Sequence, residues 1–169
     1  MTSPPRILGL DLSFTATGIA LPDGTTLTVK TRQADGDRRL THIADAIREA
    51  AADVDLAVVE DLPVHGKSAG ITGMVHGVAR QALIDAGVPY ALLAPATLKA
   101  YATGSGSGDK TAMAMAAFKR AGIEFADDNQ CDAWWLLAAG REHLGCPLVA
   151  LPAAQVARLD KAKWPTLEG

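Results

Sequence analysis

Only two cysteines, Cys131 and Cys146, occur in the 169 residues. They stand at no metal-ligand spacing and offer no disulfide framework. That excludes a zinc module or a disulfide-stapled secreted fold and makes a reducing cytosol the default. Long apolar runs are lacking too: no stretch approaches membrane-spanning length, and the opening MTSPPR is no signal peptide. The expectation is a soluble cytoplasmic protein (host-cell cytoplasm if viral) with no membrane partner. Positive charge is not in excess either. Lys and Arg number 16 against 19 Asp and Glu, a net charge of −3, which argues against nonspecific coating of nucleic acid but leaves room for a local basic face. No internal repeat and no dividing linker is visible. What remains, 49% hydrophobic and 21% charged, reads as one globular domain with a substantial core.

The pattern along the chain alternates. RILGLDLS (Arg6 to Ser13) is an apolar, strand-like run ending in a polar turn. Two β-rich stretches follow, Thr17 to Leu21 and Thr25 to Thr31, hinged at Pro22-Asp23-Gly24, so a three-stranded antiparallel meander is expected. DRRLTHIADAIREAAA places Leu40, Ile43, Ala44 and Ile47 at helical spacing, and DLAVVE is a short buried strand stopping on Glu60. From Ala69 to Ala86, Ile71, Met74, Val75, Val78 and Ala82 share a helical stripe that ends at a C-cap candidate, Gly87. VPYALLAP is a further strand, followed by ATLKAYAT, the GSGSG loop, a helix from about Lys110 to Arg120, and a last apolar helix opening at DDNQCDAWW. This order predicts an α/β layer sandwich built on a five-stranded mixed sheet, an antiparallel meander plus parallel strands, flanked by helices. Residues 1–151 form the domain, and 152–169 are expected to be a peripheral, partly mobile tail.

Four acids stand out as a set. Asp11 ends the first apolar run and Glu60 ends the fourth strand; each alone reads as an ordinary turn or strand-end acid. Asp128 and Asp132 are four apart, so a helix puts both carboxylates on one face. Asp127, with Gln130 three residues on, resembles an N-cap with its capping-box partner, which leaves Asp128 free to point elsewhere. Apposed carboxylates repel, and hard divalent cations such as Mg²⁺ or Mn²⁺ between them explain the arrangement best. Two such ions support phosphodiester hydrolysis.

At this point the sequence resembles a known family. ILGLDLSFTATGIA looks like the first motif of RuvC-type Holliday-junction resolvases, within the RNase H-like superfamily. AVVEDLP, then GMVHGVARQALIDAGVPYALLAPATLKAYATGSGSGDKTAM, then DDNQCDAWW follow in the family's order, over roughly Arg6 to Gly140. The resemblance implies the RNase H-like fold, a two-metal nuclease mechanism using Mg²⁺ (Mn²⁺ as substitute), a homodimer, and branched DNA such as a four-way junction as substrate. By position Asp11 matches the first acid, Glu60 the second and Asp132 the last, while Lys110 in GDKTAM matches a basic position near the scissile phosphate. Two departures mark a divergent, viral-type member. Leu12-Ser13 stands where the cellular enzymes have Pro-Gly after the first Asp, and Asn129 occupies the penultimate family position, with Asp128 one residue earlier. Asp128 is the expected ligand and Asn129 the alternative.

GSGSGDKT is no P-loop, because Asp109 rather than Gly precedes Lys110 and a helical stretch precedes the loop; its glycines suit a loop that approaches DNA. Lys67 is expected to touch a phosphate, and Phe14, in the polar turn past Asp11, to contact DNA. His65 and His76 have no ligand spacing, and Trp134 and Trp135 are expected in the core. Besides the junction endonuclease two other functions are open. One is an ATP-binding protein of the actin/sugar-kinase type, whose first phosphate motif GLDLSFTATGIA also resembles but which needs a second copy of the fold. The other is a non-catalytic dimeric DNA-binding relative, which would be expected to have lost acids.

Overall fold

The run ILGLD forms β1 (Ile7–Asp11), whose side chains are buried on both faces as far as the half-buried Asp11. The computed structural model describes residues 3–62 and 69–167. β2 (Ala16–Ala20) and β3 (Thr26–Lys30) complete the antiparallel meander, each within a residue of the expected limits. Its second turn closes as the Pro-Asp-Gly signal requires. Gly24 takes φ +90° and donates to the Leu21 carbonyl at 2.8 Å, and Asp23 Oδ1 accepts from the Thr25 amide at 2.8 Å.

α1 (Arg38–Ala50) then returns the chain to β4 (Leu56–Glu60), which lies parallel to β1. α2 (Ala69–Asp85) returns it to β5 (Tyr90–Leu93), parallel to β4. The sheet order is β3-β2-β1-β4-β5. α3 (Pro95–Thr103), α4 (Lys110–Ala121) and α5 (Asp128–His143) follow.

Strand alternation divides the core in two. Leu8, Leu10 and Val59 face α1 and α2, packing with Ile43, Ile47, Val75 and Leu83. Ile7, Leu56 and Val58 face the other way, onto α5 and its neighbours. Trp134 and Trp135 belong to this second core, as their sequence context predicts. Trp135 donates its indole N–H to the Met113 carbonyl at 3.1 Å and meets Tyr101 edge-on at 5.9 Å.

Two expectations are corrected. α2 buries Val75, His76, Ala79, Ala82 and Leu83, whereas Ile71 and Met74, assigned to its apolar stripe, are exposed. The face that packs on α1 is rotated from the stripe read in the sequence, because Val75, Ala79, Ala82 and Leu83 form their own i, i+4, i+7, i+8 set. The stretch after Leu151 is not a loose tail. Its helical turns Ala153–Val156 and Ala157–Lys161 bury Leu159. Gln155 donates to the Tyr101 carbonyl at 2.6 Å, and Lys163 makes an antiparallel bridge to Leu92 beside β5. Trp164 stacks flat on His143 at 4.0 Å.

α5 lies directly against the glycines of the sheet. A Cβ on Gly9 of β1 would lie 2.1 Å from the Ala133 carbonyl oxygen, and one on Gly18 of β2 would lie 2.1 Å from that of Asn129. Both are backbone atoms, so neither contact can be relieved by a rotamer change. Gly9→Ala is therefore expected to destabilise the protein by at least about 3 kcal/mol, the upper part of the overpacking range, read by urea unfolding. Gly77→Ala on the exposed face of α2, where an added Cβ meets nothing within 4 Å, should instead stabilise by about 0.5–1 kcal/mol.

Candidate active site

The register of the sheet brings the first two acids together. β1 and β4 are parallel with Leu10 opposite Val59, so the next step sets Asp11 beside Glu60 at the carboxyl ends of both strands. Alternation puts Asp11 on the face of Ile7 and Gly9, and Glu60 on the face of Leu56 and Val58, so both point to the α5 side. The amino end of α5 crosses the sheet there, with Asn129 over Gly18 and Ala133 over Gly9, and carries Asp128 and Asp132 to the same place.

The charges of the four acids act on one another. Asp11 is held well above the usual carboxylate range, first by burial and then by the negative charges of Glu60, Asp132 and Asp128, with Lys110 opposing. Burial, then Asp132, lifts Glu60 to about 7 against the pull of Lys99. Burial, then Asp128, lifts Asp132 to about 6, with Lys110 and Lys99 opposing. Lys110, at the start of α4, forms an ion pair with Asp128; the lysine side chain is exposed and that of Asp128 partly so.

Lys99 is a charge acting on the acids that the sequence did not single out. ATLKAYAT shows no pattern that marks it, and it is the packing of α3 against α4 and α5 that brings its charge within electrostatic range of Glu60 and Asp132. Phe14 is a correction. It is 6% exposed, packs in the core under α1, and lies beneath the Arg39 guanidinium at 3.8 Å, so its ring is not offered to a DNA base. The polar turn around it is closed internally: the Thr17 hydroxyl donates to the Ser13 carbonyl at 2.7 Å, which buries the intervening Phe14. Lys67 and His65 lie outside the described residues.

Asp127 is the N-cap of α5, accepting from the Gln130 amide at 3.0 Å. The reciprocal half of the expected capping box is absent, because the Gln130 side chain turns to the hydroxyls of Thr26 and Thr28. Asp127 also accepts from the Thr28 hydroxyl at 2.6 Å, tying α5 to β3. Burial works against its charge, but these donors together hold its carboxyl below the usual range.

The donor set is made of carboxylate oxygens alone, which suits a hard divalent cation. As the side chains stand, however, no group of three or more His, Cys, Asp or Glu among the described residues is gathered closely enough to form a finished ligand set. One oxygen of Asp128 is engaged by Lys110. The chemistry of the residues fits a metal, while the ligand geometry is not fully drawn together.

No protein-family model and no curated protein matches the chain. Solved structures do. Thermus thermophilus RuvC matches with a TM-score of 0.70 over 86% of this chain and 99% of that one, at 20% identity. The chain has the RuvC fold. T. thermophilus RuvC in complex with a Holliday junction substrate matches with a TM-score of 0.69 and the same coverage and identity. The five-stranded mixed sheet with helices on both faces is the shared architecture.

Two measurements probe the site. In the metal-free protein Glu60 holds its proton up to about pH 7, whereas the unfolded chain releases it near 4.5. Its protonated form therefore contributes stability below about pH 4.5 that is lost as pH rises through 7. Glu60→Gln, which stays neutral, is expected to melt higher than wild type at pH 8 in EDTA, with the difference closing by pH 5. Asp127→Ala removes the cap and the Thr28 bond together and should cost about 2 kcal/mol in chemical denaturation.

Proposed function

We propose that this chain is a divalent-metal-dependent, structure-selective DNA endonuclease that resolves four-way junctions, acting as a homodimer. The observation that carries this reading is the meeting of Asp11, Glu60 and Asp132, from two adjacent parallel strands and the helix packed across them, at one end of a RuvC-type sheet. Each of the three is held above the carboxylate range by burial and by its neighbours' charge. A cluster so unfavourable to its own ionisation suits cation binding better than it suits structure.

Asp11, Glu60 and Asp132 would hold Mg²⁺ or Mn²⁺, two ions in all, with Asp128 as the further ligand and Asn129 as its alternative. When bound, such ions supply Lewis-acid activation of water and neutralise charge on the leaving oxygen of a phosphodiester. Lys110 has a different task. Its exposed ammonium, held at the mouth of the site by Asp128, meets the phosphate that enters and offsets its charge. Lys99 on α3, whose charge acts on Glu60 and Asp132, adds further positive charge near the acids. The helix contact at Gly9 and Gly18 keeps these groups in fixed relation. T. thermophilus RuvC in the matching complex carries a Holliday junction, which is the ground for choosing branched DNA over other phosphodiesters.

Asp11→Asn is expected to reduce cleavage of a synthetic four-way junction in Mg²⁺ by at least about a thousandfold while leaving junction binding intact or tighter, since negative charge leaves a surface facing phosphate. Cleavage at wild-type rate by this variant would overturn the assignment. Asp128→Ala should lose cleavage by orders of magnitude and recover part of it at high Mn²⁺. If Asn129→Ala is the inactive variant instead, the ligand is Asn129.

A further inference from the structure

A basic hollow of the described surface lies apart from the acids. A hollow of about 400 Å³ is lined by Lys30 and Arg32 at the end of β3 and by Arg38, Arg39 and His42 at the start of α1, with Asp35 its one acid. Asp35 is already engaged, because Arg32 binds it through two nitrogens at 3.1 and 3.2 Å. Among the described residues neither Lys30 nor Arg38 forms an ion pair. In a chain of net charge −3, this concentration of cations, of which among the described residues Arg32 alone is paired with an acid, is not a product of composition.

Its position works against the intrinsic field. The amino end of a helix carries partial positive charge, so acids are favoured in its first turn. α1 has none there and opens with Arg38-Arg39 instead, and its N-cap Asp37 makes no side-chain capping bond. Arg39 is moreover fixed in place, with its guanidinium over the buried Phe14 ring at 3.8 Å and its Nε donating to the Gly36 carbonyl at 3.0 Å. Mutually repelling cations held at a positive helix end are relieved by an anion.

Sheet register locates the hollow relative to the acids. Asp11 pairs with Gly18, Gly18 with Thr28, and Ala16 with Lys30. Lys30 is thus two strands across and two residues outward from Asp11 at the same end of the sheet. At ~4.8 Å between strands and ~3.4 Å per residue, the separation is about 12 Å. A duplex strand advances ~3.4 Å per nucleotide along its axis while winding around it, so this distance corresponds to at most about three or four nucleotides. Lys30 also bears electrostatically on Asp127, the N-cap of α5.

We infer that the hollow formed by Lys30, Arg32, Arg38 and Arg39 binds backbone phosphates of a DNA duplex arm a few nucleotides from the phosphate held at the acids. The inference rests on the endonuclease reading and adds to it the path of the DNA, which runs across the β1-β2-β3 edge rather than off the β5 side. Open shape, several separate cations and arginine forks match a phosphodiester backbone and carry no means of reading bases.

The test compares two double charge reversals of equal net charge. Lys30→Glu/Arg38→Glu alters the hollow. Arg48→Glu/Arg158→Glu alters the far end of α1 and the C-terminal turns. Affinity for a four-way junction and for a plain duplex is measured in Ca²⁺ or EDTA over a range of salt. The hollow variant should bind at least tenfold more weakly at low salt and show a log Kd against log salt slope shallower by about 2, since each lost phosphate contact removes ~0.9. The control should change binding less than threefold and keep the slope. Equal loss in both pairs, an unchanged slope in the hollow variant, or no DNA binding by the wild type would each overturn the inference. Cleavage in Mg²⁺ separates this from the endonuclease reading. A wild type that binds through the hollow but never cuts leaves the hollow standing and removes the nuclease. A hollow variant that binds and cuts like wild type does the reverse.

Discussion

The contact between α5 and the glycines of β1 and β2 is the constraint on which the rest depends. A helix normally rests on a sheet through a layer of side chains. Here Ala133 and Asn129 present backbone carbonyls to positions where even a methyl group would overlap them. Gly140 repeats the arrangement from the helix side, where a Cβ would meet the side chains of Ile7 and Val58 at 2.6 and 2.8 Å. The consequence is chemical as well as mechanical. With the helix drawn this close, Asp128 and Asp132 come within electrostatic range of Asp11. A spacer layer of ordinary side chains would separate them by several more ångströms and weaken the repulsion that lifts their protonation.

That repulsion has to be offset in a folded protein that ends its core at carboxylates. Two lysines do part of this, Lys99 from α3 and Lys110 from α4, and both pull against the upward shifts of the acids. Asp127 is spared by being turned the other way, toward Thr28 and its own helix amide. Adjacent aspartates on one turn thus have opposite environments. One carboxylate accepts hydrogen bonds from a hydroxyl and a backbone amide, while the other is held in an ion pair with Lys110.

Charge of the opposite sign is gathered along the outer edge of the sheet. Phe14, which looked from its polar setting like a surface aromatic, is buried and supports Arg39 from beneath. A nearly neutral protein can in this way present an acidic centre and a basic rim to the same ligand, since it is the local arrangement and not the net charge that sets the field at close range.

The sequence by itself determined the order of elements, the Pro-Asp-Gly turn, the cap at Asp127 and the acids at strand and helix ends, because each rests on local physics: side-chain periodicity, positive φ at glycine, and a carboxylate three residues from an amide donor. Its ordered blocks also pointed, through a resemblance, to Asp11, Glu60, Asp132 and Lys110, and the i, i+4 spacing to Asp132 added Asp128 as a proposed ligand. It could not assign the buried face of α2, the docking of Leu159 and Trp164, the burial of Phe14, or the approach of Lys99 to Glu60. Those are decided between elements far apart in the chain, where packing chooses one among several apolar stripes and where sheet order alone decides which charges become neighbours. The Gln130 side chain shows the same limit at close quarters: local spacing pointed it back to Asp127, and two threonine hydroxyls, brought in by β3, took it instead.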